Sequence, residues 1–104
     1  MGITKAEALK AVDRERGPVC EASDRIWDQP ETAFQEFHST DVLCELLEKE
    51  GFRVERNLAG IATAFSGTYG SGKPVVGILG EFDALSGLSQ ESESLEKTAL
   101  VDGA

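Results

Sequence analysis

Histidine is almost missing from this chain: His38 is the only one in 104 residues. A zinc centre usually takes three or four ligands from His, Cys and carboxylates, so such a centre has few candidates here. No Ser-His or Cys-His couple can form away from His38, and no Gly-x-Ser-x-Gly elbow occurs. Cysteine is equally scarce. Cys20 and Cys44 allow one disulfide at most and have neither the spacing nor the companions of a zinc site. Cations are few, with ten Lys+Arg against nineteen Asp+Glu and a net charge of −9. That balance speaks against nucleic acid, because phosphate recognition needs clustered positive charge, and against an anionic membrane surface for the same reason. Long apolar runs are absent as well. The longest strongly apolar run is Val75-Val76-Gly77-Ile78-Leu79, far short of the roughly 20 residues that span a bilayer. The start, Met1-Gly2-Ile3-Thr4-Lys5-Ala6-Glu7, lacks the order of a secretory signal, and Ala6 spoils a myristoylation match. A cytoplasmic protein with reduced thiols is the expectation.

What is present suits one small domain: 40% of the residues are hydrophobic and 28% charged. Catalytic clefts usually form between domains or at the rim of a larger sheet, so the composition permits an enzyme without suggesting one. Thr4-Lys5-Ala6-Glu7 fits a capping box, and Leu9, Val12, Val19 and Ile26 follow as a thin apolar stripe at near-helical spacing. Gly17-Pro18 predicts a kink, or a second helix with Pro18 at its first position. Asp28-Gln29-Pro30-Glu31 reads as a turn. A helix follows over about 36–50, with Leu43, Leu46 and Leu47 on one face, Cys44 buried beside them, and Gly51 as terminator. The period then changes. Residues 52–57 alternate like a half-buried strand, Ile61 to Tyr69 is a second strand, and Val75 to Phe82 is a third, apolar enough for burial on both faces. The expected fold is α/β: two or three helices, then about three strands. Residues 1–85 form its body. Residues 86–104, with Glu91, Glu93, Glu96 and Asp102 against a single Lys97, read as an acidic, Ser/Glu-rich mobile tail.

Two patterns touch on chemistry. Gly67-Thr68-Tyr69-Gly70-Ser71-Gly72-Lys73 has the spacing of a phosphate-binding loop, but the next residue is Pro74 rather than Ser or Thr. Proline has no N–H for a phosphate and no hydroxyl for magnesium, so a hairpin turn is the better reading. In Gly80-Glu81-Phe82-Asp83-Ala84-Leu85, two carboxylates follow a strand, two residues apart. In an extended chain Glu81 and Asp83 point to the same side and can share a crevice. There they could bind a divalent cation or orient a metal-bound histidine; equally, they could be an acidic strand end facing water. His38, near a helix start, reads as a surface or capping residue.

Residues 26–36, Ile26-Trp27-Asp28-Gln29-Pro30-Glu31-Thr32-Ala33-Phe34-Gln35-Glu36, resemble a segment near the N-terminus of metal-dependent amidohydrolases of the aminoacylase/carboxypeptidase superfamily. Leu46-Leu47-Glu48-Lys49-Glu50-Gly51-Phe52, Gly60-Ile61-Ala62-Thr63-Ala64-Phe65 and the stretch from Gly70 to Leu85 follow at the family's spacing. With Gly87-Leu88-Ser89-Gln90, the last stretch is similar to the aminobenzoyl-glutamate utilisation protein B branch. The resemblance covers roughly residues 20 to 90. It implies a three-layer αβα, zinc-peptidase-like fold and hydrolysis of N-acyl amino acids or aminobenzoyl-glutamate-like substrates by one or two divalent metals, zinc or manganese. The metal would polarise the carbonyl and acidify a bound water while a glutamate acts as general base. Asp83 matches the family's aspartate that orients a metal ligand. Glu81 stands where many relatives carry a histidine ligand, and is carried over as a candidate metal residue. The Gly/His/Cys-rich loop, the catalytic glutamate and the dimerisation domain of the relatives have no counterpart in this sequence. The expectation is therefore an N-terminal fragment that is inactive alone and holds no metal tightly. The alternatives are a non-catalytic interaction module, an oligomer, or one half of a split enzyme complemented by another chain.

Overall fold

The computed structural model describes residues 2–100. Helix α1 spans Lys5–Arg14 and starts at the expected capping box: the Glu7 N–H donates to the Thr4 hydroxyl, and the Thr4 N–H donates to the Glu7 carboxylate. Helix α2 spans Arg16–Trp27. The break falls at Glu15, two to three residues before Gly17-Pro18, so Pro18 sits in the first turn of α2. Its missing N–H is one of the four that a helix start leaves unpaired in any case. The stripe Leu9, Val12, Val19 does not form a core: these residues are 53–69% exposed, because among the described residues α1 packs mainly against α2 and its apolar side is left open.

Helix α3, Phe37–Lys49, holds the centre. Val42 and Cys44 are 1% and 0% exposed, and α2, which carries the buried Ala22, packs against α3. Its end follows the expectation for Gly51. With φ +90°, Gly51 lets its own N–H reach the Glu48 carbonyl and the Phe52 N–H reach the Leu47 carbonyl, the paired arrangement that satisfies a helix C-terminus. Phe52 then leads into β1, Arg53–Arg56, which pairs antiparallel with β2, Phe65–Thr68, in the register Val54 opposite Gly67. Gly67 lets α3 approach this ribbon. A Cβ there would stand 3.0 Å from Leu47 Cδ1 and 3.5 Å from Phe52 Cδ2, so a side chain would require Leu47 to shift by a few tenths of an ångström.

The α/β class therefore holds, as three α-helices and a two-stranded antiparallel sheet among the described residues. Two strand readings differ. Residues 61–64 form a turn, closed by Ala64 N–H to the Ile61 carbonyl, so β2 starts only at Phe65. Val75 to Phe82 joins no ladder, and the hairpin anticipated at residues 67–73 does not form. A strand buried on both faces needs neighbours at its edges and layers over its faces, and the described residues provide neither. The accessible surface reflects this. It is 8474 Å², against about 5,700 Å² for a closed globule of this mass. The radius of gyration is 16.3 Å, against about 13 Å for a domain of this length. No helix among the described residues is long and apolar enough to cross a membrane. Asp102, assigned to the acidic tail, lies outside the described residues.

Candidate functional site

The segment carrying Glu81 and Asp83 is anchored at three points. The Phe82 ring lies 5.8 Å from that of Phe65, centroid to centroid, tilted by 42°. The Ala84 N–H donates to the Glu31 carbonyl at 2.7 Å. The Trp27 indole N–H donates to the Gln90 carbonyl at 2.6 Å. Asp83 is thus held between two fixed neighbours, with its own side chain exposed. It borders two clefts. One, of about 300 Å³, has Ile26, Trp27, Phe82 and Leu88 among its walls. The other, of about 360 Å³, is flanked by Phe34, Glu36 and Thr63, and Glu81 borders it as well. The two carboxylates singled out from the sequence both border this second cleft.

The loop opposite is set by a carboxylate that sequence reasoning passed over. Glu31 accepts from Ser39 N–H at 2.7 Å, from the Ser39 hydroxyl at 2.7 Å and from His38 N–H at 3.0 Å. These are donors of the first turn of α3, whose own cap residue Glu36 contributes no side-chain bond. A negative charge at a helix start is favoured by the helix dipole. Burial pushes the Glu31 carboxyl up. The Ser39 N–H and hydroxyl, the His38 N–H and the nearby His38 charge outweigh it, and the net result lies below the ordinary value. The cap lies eight residues from Ser39, beyond the reach of any local capping pattern; only Pro30-Glu31 as a turn ahead of a helix hints at it. Glu36, 8% exposed beside the second cleft, was also not foreseen.

His38 is half-buried in the first turn of α3, and its Nε2 is buried without a hydrogen-bond partner. Cys44 is buried and Cys20 exposed; both are free thiols. Burial raises the Cys44 thiol above its ordinary value, with the Arg56 charge pulling the other way. Among the described residues no group of three or more His, Cys, Asp or Glu side chains is placed to hold a metal ion. Glu81 and Asp83 alone are too few donors for a zinc centre, so the residues present do not fit a complete metal site.

The elements define one part of an α/β fold, with paired carboxylates where an unpaired apolar segment ends. No family model matches the chain. A curated relative from Escherichia coli (strain K12), one of the subunits of p-aminobenzoyl-glutamate hydrolase, is 44% identical over 93 residues, which is 89% of this chain and 19% of that protein. The chain thus spans about one fifth of that relative's length.

Proposed function

We propose that this chain supplies the Asp83-bearing part of a metal-dependent amidohydrolase site acting on N-acyl amino acids or aminobenzoyl-glutamate-like substrates. The site is completed by residues the chain does not contain, and the chain alone is inactive. The observation that carries this reading is the placement of Asp83: fixed by Phe82 and Ala84 on either side, exposed, and at the rim of two clefts. Asp83 acts as a positioning carboxylate, and Glu81 adds negative charge at the same crevice. The relative's name, a hydrolase of p-aminobenzoyl-glutamate, supports the substrate class. The zinc or manganese of such a site takes its remaining ligands from outside the described residues.

The test is a chimera in which this chain replaces the matching 93 residues of the relative, assayed for release of p-aminobenzoate. Hydrolysis is expected to persist. Asp83→Asn in the chimera is expected to lower kcat by about 10- to 100-fold, the usual cost of losing a group that orients a metal ligand. A folded but inactive chimera, or an Asp83→Asn chimera as active as its parent, refutes the reading. A non-catalytic interaction module is the second reading, favoured by the uncovered apolar residues from Val75 to Leu79.

A further inference from the structure

The cleft of about 360 Å³ bordered by Glu81 and Asp83 holds two further side chains that the hydrolytic role of Asp83 leaves unused. Glu36, also on its border, is 8% exposed, and its carboxylate has no hydrogen bond or ion pair among the described residues. A carboxylate so far withdrawn from water, with its acceptors free, calls for a donor. Phe34, on the same border, is 66% exposed, and no other ring of the described residues packs on it. Its φ is +67°, a left-handed backbone that is rare and strained for a bulky side chain. The strain fixes an aromatic face beside the carboxylates, and packing within the chain does not explain it.

We propose that this cleft is the acyl subsite of the hydrolytic site and selects an aromatic acyl group carrying an amine, with its ring on Phe34 and its amine N–H donating to Glu36. The identity of the substrate rests on the hydrolase reading above. Charge decides which end of it lies here. Glu36, Glu81 and Asp83 bring three carboxylates to the cleft, and no Lys or Arg borders it. The two carboxylates of a glutamate moiety are repelled by such a border, so the glutamate end lies away from this chain. The aryl end is uncharged. Its ring finds Phe34, with Ile61 and Ala64 also on the border, and its amine supplies the donor that Glu36 lacks. A benzoyl or aliphatic acyl group leaves Glu36 unpaired, and that difference is the source of selectivity. The three carboxylates are not placed to share a metal ion, so a hydrogen-bond donor suits Glu36 better than a cation. The other cleft beside Asp83 offers no comparable acceptor. Its Glu31 carboxylate is taken up by Ser39 and His38, and the Gln90 carbonyl by the Trp27 indole.

Titration of the isotope-labelled full chain with p-aminobenzamide, a neutral stand-in for the acyl end, tests this through amide chemical shifts. Saturable shifts at Phe34, Glu36 and Thr63 are expected, with Kd about 1–10 mM for a fragment of this size in an open cleft. Benzamide, which lacks the amine, is expected to bind about tenfold more weakly. Glu36→Leu should remove that difference, while Glu36→Gln, which keeps a neutral acceptor, should retain about threefold of it. Glu36 makes no side-chain capping bond, so neither variant should disturb α3. Phe34→Asn suits the left-handed backbone and is expected to weaken both ligands about fivefold while leaving the urea unfolding midpoint unchanged or higher. A purely structural Phe34 would instead lower the midpoint and leave both affinities alone. Equal affinity of the parent for the two amides overturns the proposal, as does a preference that persists in Glu36→Leu. So do shifts confined to Trp27 and Leu88, or no saturable shift up to about 50 mM. The two readings fail separately. An inactive chimera leaves binding of p-aminobenzamide to the chain intact, and a chain that does not bind it leaves the role of Asp83 in an active chimera standing.

Discussion

Removing the Glu31 carboxylate is expected to destabilise the whole chain, because it caps the helix that carries the core. Three donors converge on it, Ser39 N–H, Ser39 hydroxyl and His38 N–H, at 2.7, 2.7 and 3.0 Å. Loss of an N-terminal cap typically costs about 0.5–2 kcal/mol, and loss of a partly buried charge at a helix start adds to that. Glu31→Ala is therefore expected to lower unfolding stability by about 2 kcal/mol, since it also leaves the buried Ser39 hydroxyl without its partner. Glu31→Gln keeps one acceptor but no charge and is expected to cost about half as much. Urea unfolding followed by circular dichroism is the assay, repeated across pH. The Glu31 carboxyl is held below its ordinary value near 4.5, so the folded chain binds this proton less readily than the unfolded chain. The stabilisation is fully present above that value and is lost as pH falls through the lower folded one. The gap between the parent and Glu31→Gln should stay constant above about pH 5.5 and close below about pH 4.5. An Ala variant within about 0.5 kcal/mol of the parent, or a gap that does not change with pH, refutes the capping account.

Further outcomes follow from the same geometry. The Thr40 hydroxyl donates to the Thr63 carbonyl at 3.0 Å in a buried setting, so Thr40→Val should cost about 1–2 kcal/mol in the same unfolding assay by leaving that carbonyl unpaired. The Arg56–Asp41 ion pair is short, 2.6 Å, but both side chains are about half exposed, so Arg56→Ala should change stability by less than about 0.5 kcal/mol. Alkylation of the native chain at mildly alkaline pH should modify exposed Cys20 and spare buried Cys44, with both reacting in denaturant, as read by peptide mass spectrometry.

Local rules were legible in the sequence wherever a few neighbouring residues decide the outcome. The Thr4/Glu7 capping box, the Gly51 terminator, the turn after Trp27 and the burial of Cys44 all follow from contacts within a turn or a helix face. Readings that needed a distant partner fared differently. Val75 to Phe82 has the composition of a central strand, but composition does not provide ladder partners, and the segment stays uncovered. The Leu9–Val19 stripe is apolar at helical spacing, yet a stripe is buried only when another element lies over it. Glu31 was invisible for the converse reason: from a turn, it satisfies donors of a helix's first turn seven and eight residues further on, a link made only by folding. At the site, Glu81 and Asp83 are both exposed and both border one cleft. The anchors that hold Asp83 there, Phe65, Glu31 and Trp27, come from three other parts of the chain.

The central claim, that Asp83 belongs to a hydrolytic site completed by residues outside this chain, is tested most directly by complementation. The chain would be mixed with the roughly four-fifths of the Escherichia coli relative that it does not match, and release of p-aminobenzoate from p-aminobenzoyl-glutamate measured. Neither piece alone should turn over the substrate, the mixture should, and Asp83→Asn should lower that turnover by about 10- to 100-fold. Turnover by the chain alone, or a stable complex of the two pieces that does not hydrolyse the substrate, would contradict the claim.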